Sequence, residues 1–290
     1  MAQLRSTILV TGASGTVGRE LVSALRRDGK VVREAQSSMH SSSPSSTNCC
    51  RFKFEDPKTW EQALINVDRV FLMRPPAISD IGGVIAPFIH YLKSAPIRQV
   101  VVLSVMGVNP TMPHWQLERE IRKSGLPWTI LRPAFFMQNL QTAYLENIRD
   151  RDRIRLPAGK GRTSFIDTRD VAEVALQALI NPQTHNSRSY TLTGGEALSW
   201  SQVAAALSAE LGRPIIYQKI GLLRARKELQ EEDFPKAYVN VQLLINVVAR
   251  VGLAAKITDT VPRILGRPAG DLASYLQRHR ESWIKGTNLC

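Results

Sequence analysis

Two groups of residues in this sequence have the types and spacing to do chemistry. The first is Gly12, Gly15 and Gly18 in TGASGTVG, a G-x-x-G-x-x-G run between a short apolar stretch, TILV, and an amphipathic one, RELVSALRRDG. In that setting the first glycine permits a tight turn. The second lets backbone N–H groups approach a pyrophosphate, and the third lets strand and helix pack closely. The first N–H groups of the helix would then face the phosphate charge. The second group lies in SVMGVNPTMPHWQLERE, residues 104–120, where the apolar run QVVVLS passes into a loop and then a helix. His114 and Glu118 are four apart and share one helical face. A histidine there could give a proton to a substrate while the glutamate orients it. The same residues equally allow His114 to cap the helix end and Glu118 to be a solvated charge or an ion-pair partner.

These residues need a scaffold, and the chain spells one out. After the glycine turn, Val17, Leu21, Val22 and Leu25 line one helical face, with Gly29 as the stop. KVVREA, CRFKF, DRVFLM, RQVVVLS and PWTILRP read as further strands. Between the later ones stand three helices: DPKTWEQALI, begun by Asp56 with Pro57 at the first helical position, then IGGVIAPFIHYLKSA, then HWQLEREIRKSG. Strands alternating with helices specify an α/β fold, a Rossmann-like doubly wound parallel sheet with helices on both faces. Further on, GKGRTSFIDTRDVAEVALQALINP supplies a loop, a strand and a helix, and SYTLTGGEALSWSQVAAALSAELGRPIIYQKI a strand, a helix begun by Ser199 and another strand. From about residue 222 the pattern is helical. The expected organisation is a nucleotide-binding domain over 1–198 and a smaller, mostly helical lobe over 199–290 that covers the substrate cleft.

An acidic residue at the end of the second strand would hold a ribose 2′-hydroxyl, and its absence tolerates a 2′-phosphate. Here the strand ends in Ala35-Gln36-Ser37-Ser38, with Glu34 too early and beside Arg33. This favours NADP (NADPH) over NAD. The formal net charge of +13 comes from basic residues scattered through helices, and no zinc-finger or RNP-like motif accompanies them. The expectation is a basic surface that attracts anions generally, with no nucleic-acid partner. No apolar run approaches the length of a membrane span, so no membrane partner is expected either. Cys49, Cys50 and Cys290 fit neither a disulfide framework nor a metal site, which points to a reducing, cytoplasmic setting. The serine-rich run SSMHSSSPSST reads as a mobile surface loop.

Four stretches, TGASGTVGRELVSAL, SGLPWTILRPAFFMQNL, SFIDTRDVAEVALQALINP and YTLTGGEALSWSQVAAALSAELGRPI, together resemble the NmrA-like family of atypical short-chain dehydrogenases. The resemblance spans residue 6 to about 220 and implies a Rossmann fold, a preference for NADP and a substrate cleft beside a small C-terminal domain. The family includes NAD(P)H-dependent quinone, azo-dye and triphenylmethane reductases, fungal ergot-alkaloid dehydrogenases that act on iminium intermediates, and non-enzymatic redox-sensing regulators. It implies that Gly12, Ser14, Gly15, Thr16 and Val17 line the pyrophosphate and that Ser37 and Ser38 sit near the adenosine ribose. Arg74 and Pro75 would belong to a loop over the cofactor ribose, and Ser104, Val105 and Met106 would flank the nicotinamide. Phe136, Met137 and Asn139 would form a substrate-side wall. The sequence departs from the family at Arg74, where a small residue is more usual, and at Lys53 and Phe54, where an aspartate is frequent.

Typical short-chain dehydrogenases carry Tyr-x-x-x-Lys on the helix after the fifth strand, a proton donor and the lysine that lowers its pKa. HWQLEREIRK has no tyrosine, and Gln116 stands where many relatives have lysine. Tyr91 and Tyr144 read as packing residues. Ser104 and His114 are the candidate catalytic residues, although an electron-poor acceptor needs no acid. Met106, Trp115, Phe136, Asn139 and Phe165 are the candidate substrate contacts. Trp115, Phe135, Phe136 and Phe165 could stack on a flat or cationic molecule, or be core. Asp167 and Asp170 read as a helix cap flanking Arg169. The expected activity is NADPH-dependent reduction of a conjugated or iminium-type small molecule, such as a natural-product intermediate in secondary metabolism or alkaloid biosynthesis, by a monomer or homodimer. The alternatives are a non-catalytic NADP-sensing regulator and a cofactor-binding isomerase or cyclase.

Overall fold

The computed structural model describes residues 6–37, 48–231 and 235–286. Ser38, the rest of the serine-rich run and Cys290 lie outside the described residues. In chain order the first half reads β1 (Thr7–Val10), α1 (Thr16–Arg27), β2 (Val31–Gln36), β3 (Cys49–Arg51), α2 (Trp60–Leu64) and β4 (Val67–Met73). It continues with α3 (Ala86–Tyr91), β5 (Gln99–Leu103), α4 (Pro113–Lys123) and β6 (Trp128–Pro133). Then come β7 (Phe135–Phe136), α5 (Leu145–Arg149), β8 (Arg153–Leu156), β9 (Arg162–Ile166), α6 (Thr168–Ile180), α7 (Pro182–His185) and β10 (Arg188–Leu192). The rest is β11 (Ala197–Ser199), α8 (Trp200–Leu211), β12 (Ile216–Lys219), α9 (Leu222–Glu231), α10 (Lys236–Arg250), α11 (Thr260–Leu265) and α12 (Leu272–Arg278).

Seven strands form one parallel sheet in the order β10-β6-β5-β4-β1-β2-β3. The order reverses between β1 and β4, and in such sheets ligands bind beyond the strand C-termini at that switch point. A parallel sheet is covered on both faces, so β1 and β5 are buried at every residue. Helix α1 buries Val17, Leu21, Val22 and Leu25 and packs against α6. Asp56 accepts a hydrogen bond from the Lys58 N–H ahead of Pro57, as its type and position anticipate. The helix expected over 81–95 is interrupted instead. A π turn, Ile81–Ile85, precedes α3, and a 3-10 turn, Leu92–Ser94, follows it. Gly82 and Gly83 weaken the helix there, and Pro87 removes a donor.

The chain divides into two compact units, Met1–Pro133 with Thr168–Leu192, and Ala134–Asp167 with Thr193–Cys290. This corrects the expected boundary at 198/199. Just past Pro133 the chain leaves the parallel sheet, and Phe135–Phe136 pairs with Phe165–Ile166 in a separate three-stranded sheet, β11-β9-β7. Phe135, Phe165, Tyr144 and Trp200 then share one aromatic core with edge-to-face contacts at 5.2–5.7 Å. Residues 134–167 belong with that core. The second unit is helical but also holds the β12-β8 pair. No helix among the described residues is long and apolar enough to cross a membrane.

Helix α8 starts with a full capping box, in which the Ser199 hydroxyl accepts from the Gln202 N–H and the Gln202 side chain accepts from the Ser199 N–H. Replacing Ser199 with alanine is expected to lower stability by about 1 kcal/mol. Urea unfolding midpoints of Ser199→Ala and wild type check this.

Candidate active site

The site is built at the C-terminal edge of the parallel sheet. Gly12 turns the chain after β1 with φ +64, a conformation that favours glycine. Its carbonyl accepts from the Gly15 N–H at 2.9 Å. A Cβ on Gly18 would lie 2.0 Å from the Gly12 oxygen, so only glycine lets α1 pack so close behind the turn. A Cβ on Gly15 would stand 3.2 Å from the same oxygen and from the Met73 methyl. Helix α1 has no acidic residue in its first turn and no side chain capping its first N–H groups. Those N–H groups and the helix dipole suit a phosphate, and the glycines leave backbone within its reach. The residues therefore fit a dinucleotide pyrophosphate. Ser14 is exposed and Thr16 half-buried. Val17 is 2% exposed, so its side chain belongs to the core and only its N–H can serve a ligand.

The Thr11 hydroxyl joins β1 to β4, donating to the Phe71 carbonyl at 3.1 Å and accepting from the Met73 N–H at 2.8 Å. At the next residue, the Arg74 Nη1 donates to the carbonyls of Pro75, Pro76 and Ile78 at 3.0, 3.0 and 2.7 Å. Register pairs Met73 with Leu103 and Leu103 with Leu131, so Arg74 just past β4, Ser104 just past β5 and Arg132 on β6 stand at one level.

Glu118 is 3% exposed and faces Ser104, not His114. It accepts from the Ser104 hydroxyl at 2.6 Å, from Arg132 Nε at 2.8 Å and Nη2, and from Arg122 at 3.2 Å. Arg122 also donates to Ser189 and lies over the Trp128 ring. Burial alone would raise the Glu118 pKa, but the hydrogen bonds from Arg132 and Ser104 and the arginine charges outweigh it and hold the carboxyl below its ordinary value. Glu118 is therefore an ion-pair centre, which is one of the two readings its spacing allowed, and it does not orient His114. Arg132 was missed by sequence reasoning. Its only signal was a charged residue at the end of an otherwise buried strand, LRP.

Burial, then the positive charge of Arg74, lower the His114 pKa from 6.5 to about 4, against a smaller opposing pull from Glu118. At neutral pH its imidazole is uncharged. Val105, Met106 and Trp115 are half-buried in the same unit, and the Arg119 guanidinium lies 5.2 Å from the Trp115 ring centre. Ser37 is exposed just past β2, while Glu34 is ion-paired with Arg26. Arg33 donates to the carbonyls that end α2. Phe54 packs in an aromatic cluster with Phe52 and Phe88.

In the second unit, Phe136 and Asn139 are half-buried, and the Asn139 carbonyl accepts from the Tyr144 N–H. Phe165 is 1% exposed, with its ring against Phe135 and Trp200. Those contacts make it a core residue and correct its reading as a stacking contact. Asp167 is buried with Gln138 and Arg278 as partners, and Arg169 pairs with Glu20. Burial pushes the Cys50 thiol up to about 11.

The sequence profile of the NmrA-like family matches residues 4–257. The chain belongs to this family. It is 34% identical over 288 residues to the NAD(P)H azoreductase of Xenophilus azovorans, covering 94% of this chain and 97% of the relative. It is 31% identical over 285 residues to the (4-alkanoyl-5-oxo-2,5-dihydrofuran-3-yl)methyl phosphate reductase of Streptomyces griseus, covering 95% and 99%. Among solved structures it is similar to the NADPH-dependent quinone oxidoreductase of Escherichia coli in complex with NADPH. The TM-score is 0.83 at 19% identity, over 94% of this chain and 99% of the other. As an NmrA-like chain it keeps the glycine turn intact and carries a helix α4, PHWQLEREIRK, without tyrosine.

Removing the Glu118 carboxylate would leave two arginines without their counter-charge. Glu118→Ala is expected to cost about 3 kcal/mol, the lower end for breaking a buried pair, because both arginines stay partly exposed. Urea denaturation with Glu118→Gln as the milder companion tests this. Stability should also fall on acidification. The unfolded chain protonates His114 near 6.5 and the fold only near 4, so between those values the unfolded state binds the extra proton. Glu118, held below its ordinary value, adds a loss in the same direction at lower pH.

Proposed function

We propose that this chain is an NADPH-dependent reductase that delivers hydride to an electron-poor carbon of a conjugated or iminium-type small molecule, without a side-chain acid. A reduced nicotinamide, when bound, supplies the hydride. The glycine turn and the start of α1 hold the pyrophosphate. Pro75, Val105 and Met106 are the candidate contacts further along the same edge. The carrying observation is the state of the two candidate donors. The Ser104 hydrogen is committed to Glu118, and His114 is neutral above a pKa of about 4. Neither matches the donor that carbonyl reduction uses at neutral pH. An acceptor whose carbon is already electron-poor takes hydride without one, and its later protons come from water. The azoreductase and furanone-phosphate reductase relatives support a conjugated acceptor.

NADPH is favoured because the residue just past β2 is a hydroxyl residue, Ser37, while the one carboxylate of β2, Glu34, is taken by Arg26. NADPH should therefore bind about tenfold or more tightly than NADH, a difference of about 1.4 kcal/mol. Cofactor fluorescence titration measures it, and equal affinities would count against the reading. His114→Ala should slow single-turnover NADPH oxidation by less than about tenfold, against the 10²–10⁴ a general acid supplies. The wild-type rate should not follow a histidine titration between about pH 5.5 and 8.5, because the imidazole titrates below that window. A loss of about a thousandfold in His114→Ala would make this histidine the donor.

A further inference from the structure

Two guanidinium groups stand at the ends of the strands on either side of β5, Arg74 just past β4 and Arg132 on β6, and they are balanced differently. Arg132 is paired with the buried Glu118. Arg74 makes no ion pair with any carboxylate among the described residues. Its Nη1 is fixed by three carbonyls of its own loop, and its buried Nε has no hydrogen-bond partner. Those carbonyls carry no formal charge, so the guanidinium has hydrogen bonds but no counter-ion. Burial also lowers the Arg74 pKa, showing a cation partly removed from water. The neighbouring His114 is neutral and offers no competing charge. Arg74 directly follows β4, one of the two strands at the topological switch point, where ligands of open parallel sheets bind. The three carbonyl bonds hold the guanidinium in one place, so its positive charge is fixed beside the strand edge.

We infer that Arg74 is an anion-recognition residue, and that the acceptor reduced at this site carries an anionic oxygen group, a carboxylate, sulfonate or phosphate, that pairs with it. The inference rests on the reductase reading and narrows its substrate class. Phosphate oxygens of the cofactor share this chemistry, so the experiment separates the two sources.

The test compares wild type, Arg74→Met and Arg74→Lys. Both variants lose the guanidinium fork that holds the loop, but only lysine keeps the charge. The readout is the ratio of KM for 1,4-naphthoquinone-2-sulfonate to KM for 1,4-naphthoquinone at saturating NADPH. That ratio should rise about tenfold or more in Arg74→Met and stay within about threefold of wild type in Arg74→Lys. NADPH affinity is followed in both by fluorescence titration, and saturating NADPH keeps any change in it out of the ratio. An unmoved ratio overturns the inference. A fall in NADPH affinity with the ratio unmoved assigns the anion to the cofactor and overturns the substrate assignment. A second arm needs no turnover. Naphthalene-2-sulfonate should raise the wild-type Tm more than naphthalene-2-sulfonamide does, with the difference lost in Arg74→Met and kept in Arg74→Lys. That arm still decides on Arg74 if neither quinone is reduced, which would sink the reductase reading alone. If Arg74→Met does not fold, a sulfonate preference in Arg74→Lys within about threefold of wild type supports the inference, and its disappearance there overturns it.

Discussion

A carboxylate taken out of water persists only where hydrogen bonds and opposite charge replace the solvent. Glu118 meets that condition from three elements at once: Ser104 at the end of β5, Arg132 at the end of β6, and Arg122 one turn further along its own helix. The contacts are mutually dependent. Helix α4 must lie close enough to the sheet edge to deliver the carboxylate, and the strand ends must stop where the hydroxyl and guanidinium can reach it. The loop from Ser104 to Met106 is fixed by the same arrangement, with the Ser104 and Met106 N–H groups bonded to Leu131 and Pro133. One buried charge thus sets the floor of the candidate site and also removes Ser104 from the list of available acids.

Much of this was legible in the sequence because it depends on the chain's local covalent character. A Gly12 at positive φ, a Gly18 against a backbone oxygen and a Ser199 with its Gln202 three residues on are requirements met within one turn of chain. Alternating apolar runs likewise specify a parallel sheet, since β5 must be buried on both faces. What was not legible is partner choice across long separations. The spacing of His114 and Glu118 placed them on one helical face but could not say that the carboxylate would turn to Arg132, fourteen residues away on a strand. The pairing of Phe135–Phe136 with Phe165–Ile166 was hidden for the same reason, and with it the assignment of residues 134–167 to the second unit. Phe165 looked like a binding aromatic because sequence shows a ring's type and not its neighbours. Trp200 and Phe135 make it core.

The charges along the edge bear on which acceptor suits it. Among the described residues no carboxylate pairs with Arg74, Glu118 balances Arg132, His114 is neutral, and the bare N-terminus of α1 adds a positive dipole end to the same strand edge. In the proposed reaction a conjugated acceptor gains negative charge on its heteroatom as hydride arrives. A fixed positive field stabilises that charge as it develops and costs no reorganisation. Such a field can take over the part that a proton donor plays in carbonyl reduction. An iminium acceptor begins with a positive charge and loses it, so the same field destabilises its approach and gains nothing at the transition state. Of the two proposed acceptor classes, the electrostatics of this edge therefore favour the conjugated one, and favour it most when the molecule also carries an anionic group for Arg74.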